Sequence, residues 1–111
     1  MKAGDFIVIY VTCANVAEAE KISTALLDEK LIACANVFAP HTAHYSWKGK
    51  REKGSEVAVI MKTRAVLFEK VRAGILKMHS YECPCIVAWP LGAAHGPFLD
   101  WIETETDSTG G

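Results

Sequence analysis

Residues 6–11 read Phe-Ile-Val-Ile-Tyr-Val, an uncharged run rich in β-branched and aromatic side chains. It is too short for a bilayer-spanning helix and shows no polar alternation, so it suits a strand covered on both faces. Thr12-Cys13-Ala14-Asn15 breaks the run. Asn15 can cap a helix, and Glu18 falls at the third helical position, as in a capping box. Ala19, Ile22 and Leu26 then recur at three- and four-residue spacing, which predicts an amphipathic helix ending near Glu29 or Lys30.

Residues 31–38 read as a second strand that stops or bends at Pro40, and residues 41–47 resume an extended pattern before a Lys48-Gly49-Lys50 turn. Residues 56–61 alternate again, with Val57, Val59 and Met61 on one face. Thr63 can cap a second helix, whose apolar stripe is Phe68, Val71, Ile75 and Met78. Gly74 interrupts that helix at a cost of about 1 kcal/mol relative to alanine, which points to close packing there. Residues 85–89 form the last clear strand, Gly96-Pro97 opens a short third helix, and the tail from 103 to 111 is expected to fray.

The order is β-α-β-β-α-β plus a terminal helix. With right-handed crossovers this gives an α+β, ferredoxin-like split β-α-β sandwich with both helices on one face of an antiparallel sheet. The segment from 31 to 62 is long for a hairpin and is expected to leave the sheet as a ribbon carrying Phe38, Tyr45 and Trp47. Such an edge recruits other chains unless it is protected, so a closed homo-oligomer is expected.

The composition bounds the rest. Across 111 residues, 12 Lys and Arg balance 13 Asp and Glu, and half of the side chains are hydrophobic. That excludes a disordered chain and leaves no global positive field for nucleic acid. A single domain of this size buries roughly two-thirds of its unfolded surface without disulfides or a structural metal. Neither a secretory signal nor a spanning segment is recognisable, so no membrane association is expected. Cysteines at 13, 34, 83 and 85 lack the paired spacing of structural zinc sites, and they read as reduced thiols in a cytoplasmic protein.

Cys13 follows the first strand and precedes a helix whose positive end should favour its thiolate. It reads either as a soft-metal ligand or nucleophile, or as a small buried apolar group. His79 ends the second helix, where it serves a metal site with a thiolate or satisfies helix-end carbonyls. Cys83-Pro84-Cys85 places two thiols about 7 Å apart on one face of an extended strand, too far for an easy disulfide. Lys48, Lys50, Arg51 and Lys53 form a basic turn, read as a solvated hairpin tip. The chain contains no Gly-rich phosphate loop, no GxSxG and no HExxH. An enzyme is therefore not expected.

Five ordered blocks carry a family resemblance: Val11-Thr12-Cys13, Lys30-Leu31-Ile32-Ala33-Cys34-Ala35-Asn36, Tyr45-Ser46-Trp47-Lys48-Gly49-Lys50, residues 56–63, and His79-Ser80-Tyr81-Glu82-Cys83-Pro84. Together they resemble the CutA divalent-cation tolerance family across residues 6–102, as one CutA-like domain within 1–111. The resemblance implies a tight homotrimer, similar in plan to the PII signalling proteins, in a cytoplasmic bacterial setting linked to copper tolerance and response to metal ions. It implies copper or another divalent metal ion at Cys13 and His79; we expect Met78, Glu82 or water to complete the shell. A second implied reading is a signalling or scaffold trimer that binds a small anion in an intersubunit cleft through Lys62 and Tyr81. Two positions depart from the family pattern. Met78 stands where some members carry a second histidine, and Ser80 stands where the family usually has proline, leaving that backbone less restrained.

Overall fold

The structure is a computed structural model that describes residues 4–107. The chain runs β1 (Phe6–Cys13), α1 (Val16–Asp28), β2 (Cys34–Val37), β3 (His41–Trp47), β4 (Lys50–Arg64), α2 (Phe68–Met78), β5 (Ile86–Pro90) and α3 (Gly96–Glu105). The strands lie in the order β2-β4-β1-β5 with every pairing antiparallel, and β3 pairs with the far half of β4. This is the connectivity of the expected split plan, with β1 between two neighbours.

Odd-numbered residues of β1 (Ile7, Ile9, Val11, Cys13) and of β4 (Val57, Val59, Met61) face the helices. They share one buried core with Ala19, Ile22 and Leu26 of α1 and with Val71 and Ile75 of α2. The strand period of two and the helical period of 3.6 thus meet on one surface. Gly74 lies where α2 crosses α1, and a β-carbon there would stand 2.9 Å from Leu26 Cδ2. Close packing accounts for that glycine.

Asn15 caps α1 by accepting the Glu18 amide at 2.8 Å. At the other end, Leu31 donates to the Leu26 carbonyl and Lys30 to that of Leu27, both at 3.0 Å. These two bonds define a Schellman ending, and Lys30 holds its left-handed position at φ 58°. The β3–β4 turn uses two central residues with positive φ, Lys48 at 50° and Gly49 at 81°, the geometry that matches strand twist in a two-residue hairpin.

Three expectations are corrected. Residues 31–33 lie outside β2, while β4 extends to 15 residues because its first half makes the ribbon with β3. Thr63 caps no helix. It sits inside β4, fully buried, and donates to the Leu31 carbonyl at 2.7 Å; α2 instead follows a 3-10 turn over Ala65–Leu67 without a side-chain cap. The tail does not fray through residues 103–107. Ile102 is buried with Phe6 and Ala33, Arg64 Nε donates to Thr106 Oγ1 at 3.0 Å, and Asp107 donates to the Lys30 carbonyl at 2.8 Å. The part of that expectation covering 108–111 lies outside the described residues.

Candidate metal centre

Cys13 ends β1 on the helix-facing side, Glu18 lies in the first turn of α1, and His79 caps α2. The split plan returns α2 beside the β1–α1 turn. One donor atom from each of the three residues falls within 4.8 Å of the others. Cys13 and His79 thus meet within a single subunit, a point the sequence left open. The His79 side chain is fully enclosed.

Both ring nitrogens of His79 are engaged. Nε2 lies 2.7 Å from the Thr12 carbonyl oxygen. A carbonyl only accepts, so Nε2 carries the proton. Nδ1 then accepts the Tyr81 amide at 3.1 Å, and it stands 3.9 Å from Glu18 Oε1. Glu18 Oε1 accepts the Ala14 amide and Oε2 the Ser80 amide, both at 2.9 Å. The capping-box glutamate therefore reaches one residue past its usual partner and ties down the segment after α2. Burial pushes its carboxyl up, but the hydrogen-bond donors of Ala14 and Ser80 outweigh burial, and it titrates below the ordinary carboxylate range.

The thiolate expectation for Cys13 is overturned. Burial pushes its thiol up to about 11, and the carboxylates of Glu18 and Glu56 add to the shift. A helix terminus contributes about half a charge, which does not offset desolvation with two nearby anions.

The accessory residues fall elsewhere. Met78 packs against the core, as its place in the apolar stripe implied. Glu82 is exposed and pairs with Lys48 at 3.7 Å. Tyr81 donates its hydroxyl to Glu56 at 3.0 Å, and burial, with Glu56 next, raises its phenol well above the usual range. Tyr81 and Glu56 belong to a cleft of about 800 Å³ whose walls also include Tyr45, Trp47, Glu52 and Glu82. That cleft is acidic and aromatic. Lys62 does not line this cleft and donates to Asn36 Oδ1 at 2.7 Å. Cys83 and Cys85 precede β5 rather than lying within it; both are exposed, and all four cysteines are free.

Sequence reasoning missed Glu18 as a donor. Its spacing of five from Cys13 across a strand-to-helix turn was the available signal, absorbed by the capping pattern. The Thr12 carbonyl that orients His79 had none, because a main-chain oxygen has no sequence signature.

These features define a class: an antiparallel α+β domain in which a buried thiol, an enclosed imidazole and a partly covered carboxylate converge beside a central strand. The family model described as "CutA1 divalent ion tolerance protein" matches residues 7–105, and the chain belongs to that family. It is 45% identical over 95 residues to the divalent-cation tolerance protein CutA of Archaeoglobus fulgidus, covering 86% of this chain and 92% of the relative. Against the Pyrococcus horikoshii protein of the same name it is 39% identical over 100 residues, covering 90% and 97%. The solved A. fulgidus structure, described as a periplasmic divalent cation tolerance protein, superposes with a TM-score of 0.89 at 42% identity, covering 92% of this chain and 99% of that one. The Thermus thermophilus Cut A1 structure gives 0.89 at 30% identity, covering 92% and 99%.

Proposed function

We propose that this chain is a cytoplasmic, homotrimeric protein that binds copper or another divalent metal ion through Cys13, Glu18 and His79. It acts in tolerance of and response to such ions and is not an enzyme. The observation that carries this reading is the convergence of three chemically different donors within 4.8 Å. Thiolate and imidazole suit copper and zinc, and a carboxylate widens the set to harder divalent ions. Donors around a tetrahedral ion with bonds near 2.0–2.3 Å lie about 3.3–3.8 Å apart, so the three groups need only a small approach. The relatives' name, divalent-cation tolerance protein, agrees with the chemistry of this set.

Exposed aromatic surface supports the assembly. Phe38, Tyr45 and Trp47 on or beside the ribbon, and Val87 and Trp89 on β5, are each more than two-fifths exposed. Large apolar side chains left exposed in this number suit a surface covered by other subunits, and the count of three follows the family resemblance. The metal reading requires a reduced Cys13, which suits the cytoplasm.

An anaerobic competition titration of Cu(I), Cu(II) and Zn(II) tests the site. Wild type is expected to bind one ion per chain, and Cys13→Ser with His79→Ala to lose it. Unchanged affinity in the double variant rejects the assignment. Light scattering of the wild type, expected at three times the chain mass, tests the assembly.

A further inference from the structure

The segment between α2 and β5 is held by the candidate ligands themselves. The Ser80 amide donates to Glu18 Oε2 and the next amide, Tyr81, donates to His79 Nδ1. The far end of the Tyr81 side chain reaches the cleft, where its hydroxyl donates to Glu56. Glu56 is itself largely covered and lies 3.9 Å from His41 Nε2. One residue therefore touches the donor cluster through its backbone and the cleft through its side chain.

An imidazole nitrogen has one in-plane lone pair, so it cannot accept a hydrogen bond and coordinate a cation together. His79 must give up one of its two contacts to become a ligand. Releasing Nε2 would break the 2.7 Å bond to the carbonyl of Thr12, a largely buried residue that pairs with Ala58 of β4 just past the last β1–β5 pair at Val11. Losing that donor is costly for the carbonyl of a largely buried residue. Releasing Nδ1 frees only the Tyr81 amide, which lies in an irregular stretch near solvent, and Nδ1 is the nitrogen 3.9 Å from Glu18 Oε1.

Resting on the metal-binding reading above, we propose that Tyr81 is a latch that couples the Cys13–Glu18–His79 cluster to the cleft, because coordination at His79 Nδ1 displaces the Tyr81 amide and loosens the Tyr81–Glu56 bond. Tyr81 is a positioning residue here, not a ligand. Its phenol favours the hydrogen-bonded arrangement of the segment and so opposes coordination. Linkage makes the effect reciprocal: whatever breaks the Tyr81–Glu56 bond tightens cation binding, and cation binding opens the cleft wall. Cys83 and Cys85 line the same cleft.

The test uses Zn(II) as a diamagnetic probe on the full chain. Tyr81→Phe keeps the ring beside His79 and removes only the hydroxyl. A hydrogen bond to a charged acceptor is worth enough that its removal should tighten Zn(II) binding about tenfold, whereas a purely structural role would weaken it. In wild type, amide hydrogen exchange read by NMR should show Tyr81 protected without Zn(II) and exchanging faster with it; this readout does not depend on the variant folding. Affinity in Tyr81→Phe equal to or weaker than wild type overturns the latch, and so does a Tyr81 amide that stays protected under saturating Zn(II). Zn(II) binding that survives Cys13→Ser and His79→Ala overturns the metal-site reading itself, an outcome separable from the Tyr81 results.

Discussion

The carboxylate of Glu18 accepts the backbone amide of Ser80 at 2.9 Å, joining the first turn of α1 to the segment that follows α2. Its other oxygen holds the Ala14 amide at the same distance. A single side chain thus fixes both walls around His79 and supplies a donor to the cluster.

Glu18→Gln should cost about 1–3 kcal/mol of stability, because an amide cannot present two acceptor oxygens and leaves one backbone donor unsatisfied. The pH dependence follows from its lowered carboxyl. A depressed pKa contributes stability above the unfolded value, near 4.5, that is lost as pH falls through the native one. Urea unfolding from pH 7 to pH 3 should show a smaller acid loss in Glu18→Gln than in wild type. Parallel curves would mean that Glu18 is not held as described.

Cys13 has the opposite sign. Its thiol rises from 9.0 to about 11 in the native chain, so between those values the native state keeps a proton that the unfolded chain has released. Stability should fall as pH climbs from about 9 through 11, and Cys13→Ala should flatten part of that slope. Tyr81, raised for a similar reason, supplies another part. The same proton must leave on metal binding, so between pH 7 and 9 apparent affinity should rise about tenfold per unit. An affinity independent of pH would mean that the thiol is not a ligand.

Lys30 occupies the left-handed region at the end of α1 with φ 58°. A β-carbon there costs about 1 kcal/mol, so Lys30→Gly should stabilise the chain by about 0.5–1 kcal/mol in chemical denaturation. Destabilisation would show that Lys30 makes contacts that outweigh its backbone cost.

What the sequence disclosed follows from periodicity. The uncharged run at 6–11 became the central strand, the Ala19-Ile22-Leu26 stripe became the buried face of α1, and Gly74 marked the closest helix approach. Those signals are local, and packing agrees with them. Thr63 misled because a hydroxyl ahead of a helical stripe looks like a cap, whereas its partner is the carbonyl of Leu31, 32 residues away. The tail looked frayed because its anchor, Arg64 on Thr106 and Asp107, joins residues more than 40 apart. At the site, Cys13 and His79 were visible as residue types. The thiol's protonation was not, because burial and the charge of Glu56 come from tertiary structure.

Cobalt(II) titration most directly tests whether Cys13 anchors a metal site. With Cys34, Cys83 and Cys85 replaced by serine, Cys13 is the sole thiol. One equivalent of Co(II) per chain should develop a thiolate-to-metal charge-transfer band, absent after Cys13→Ser and weakened after His79→Ala. No charge-transfer band in the chain that retains only Cys13, or the same band after Cys13→Ser, would contradict the account.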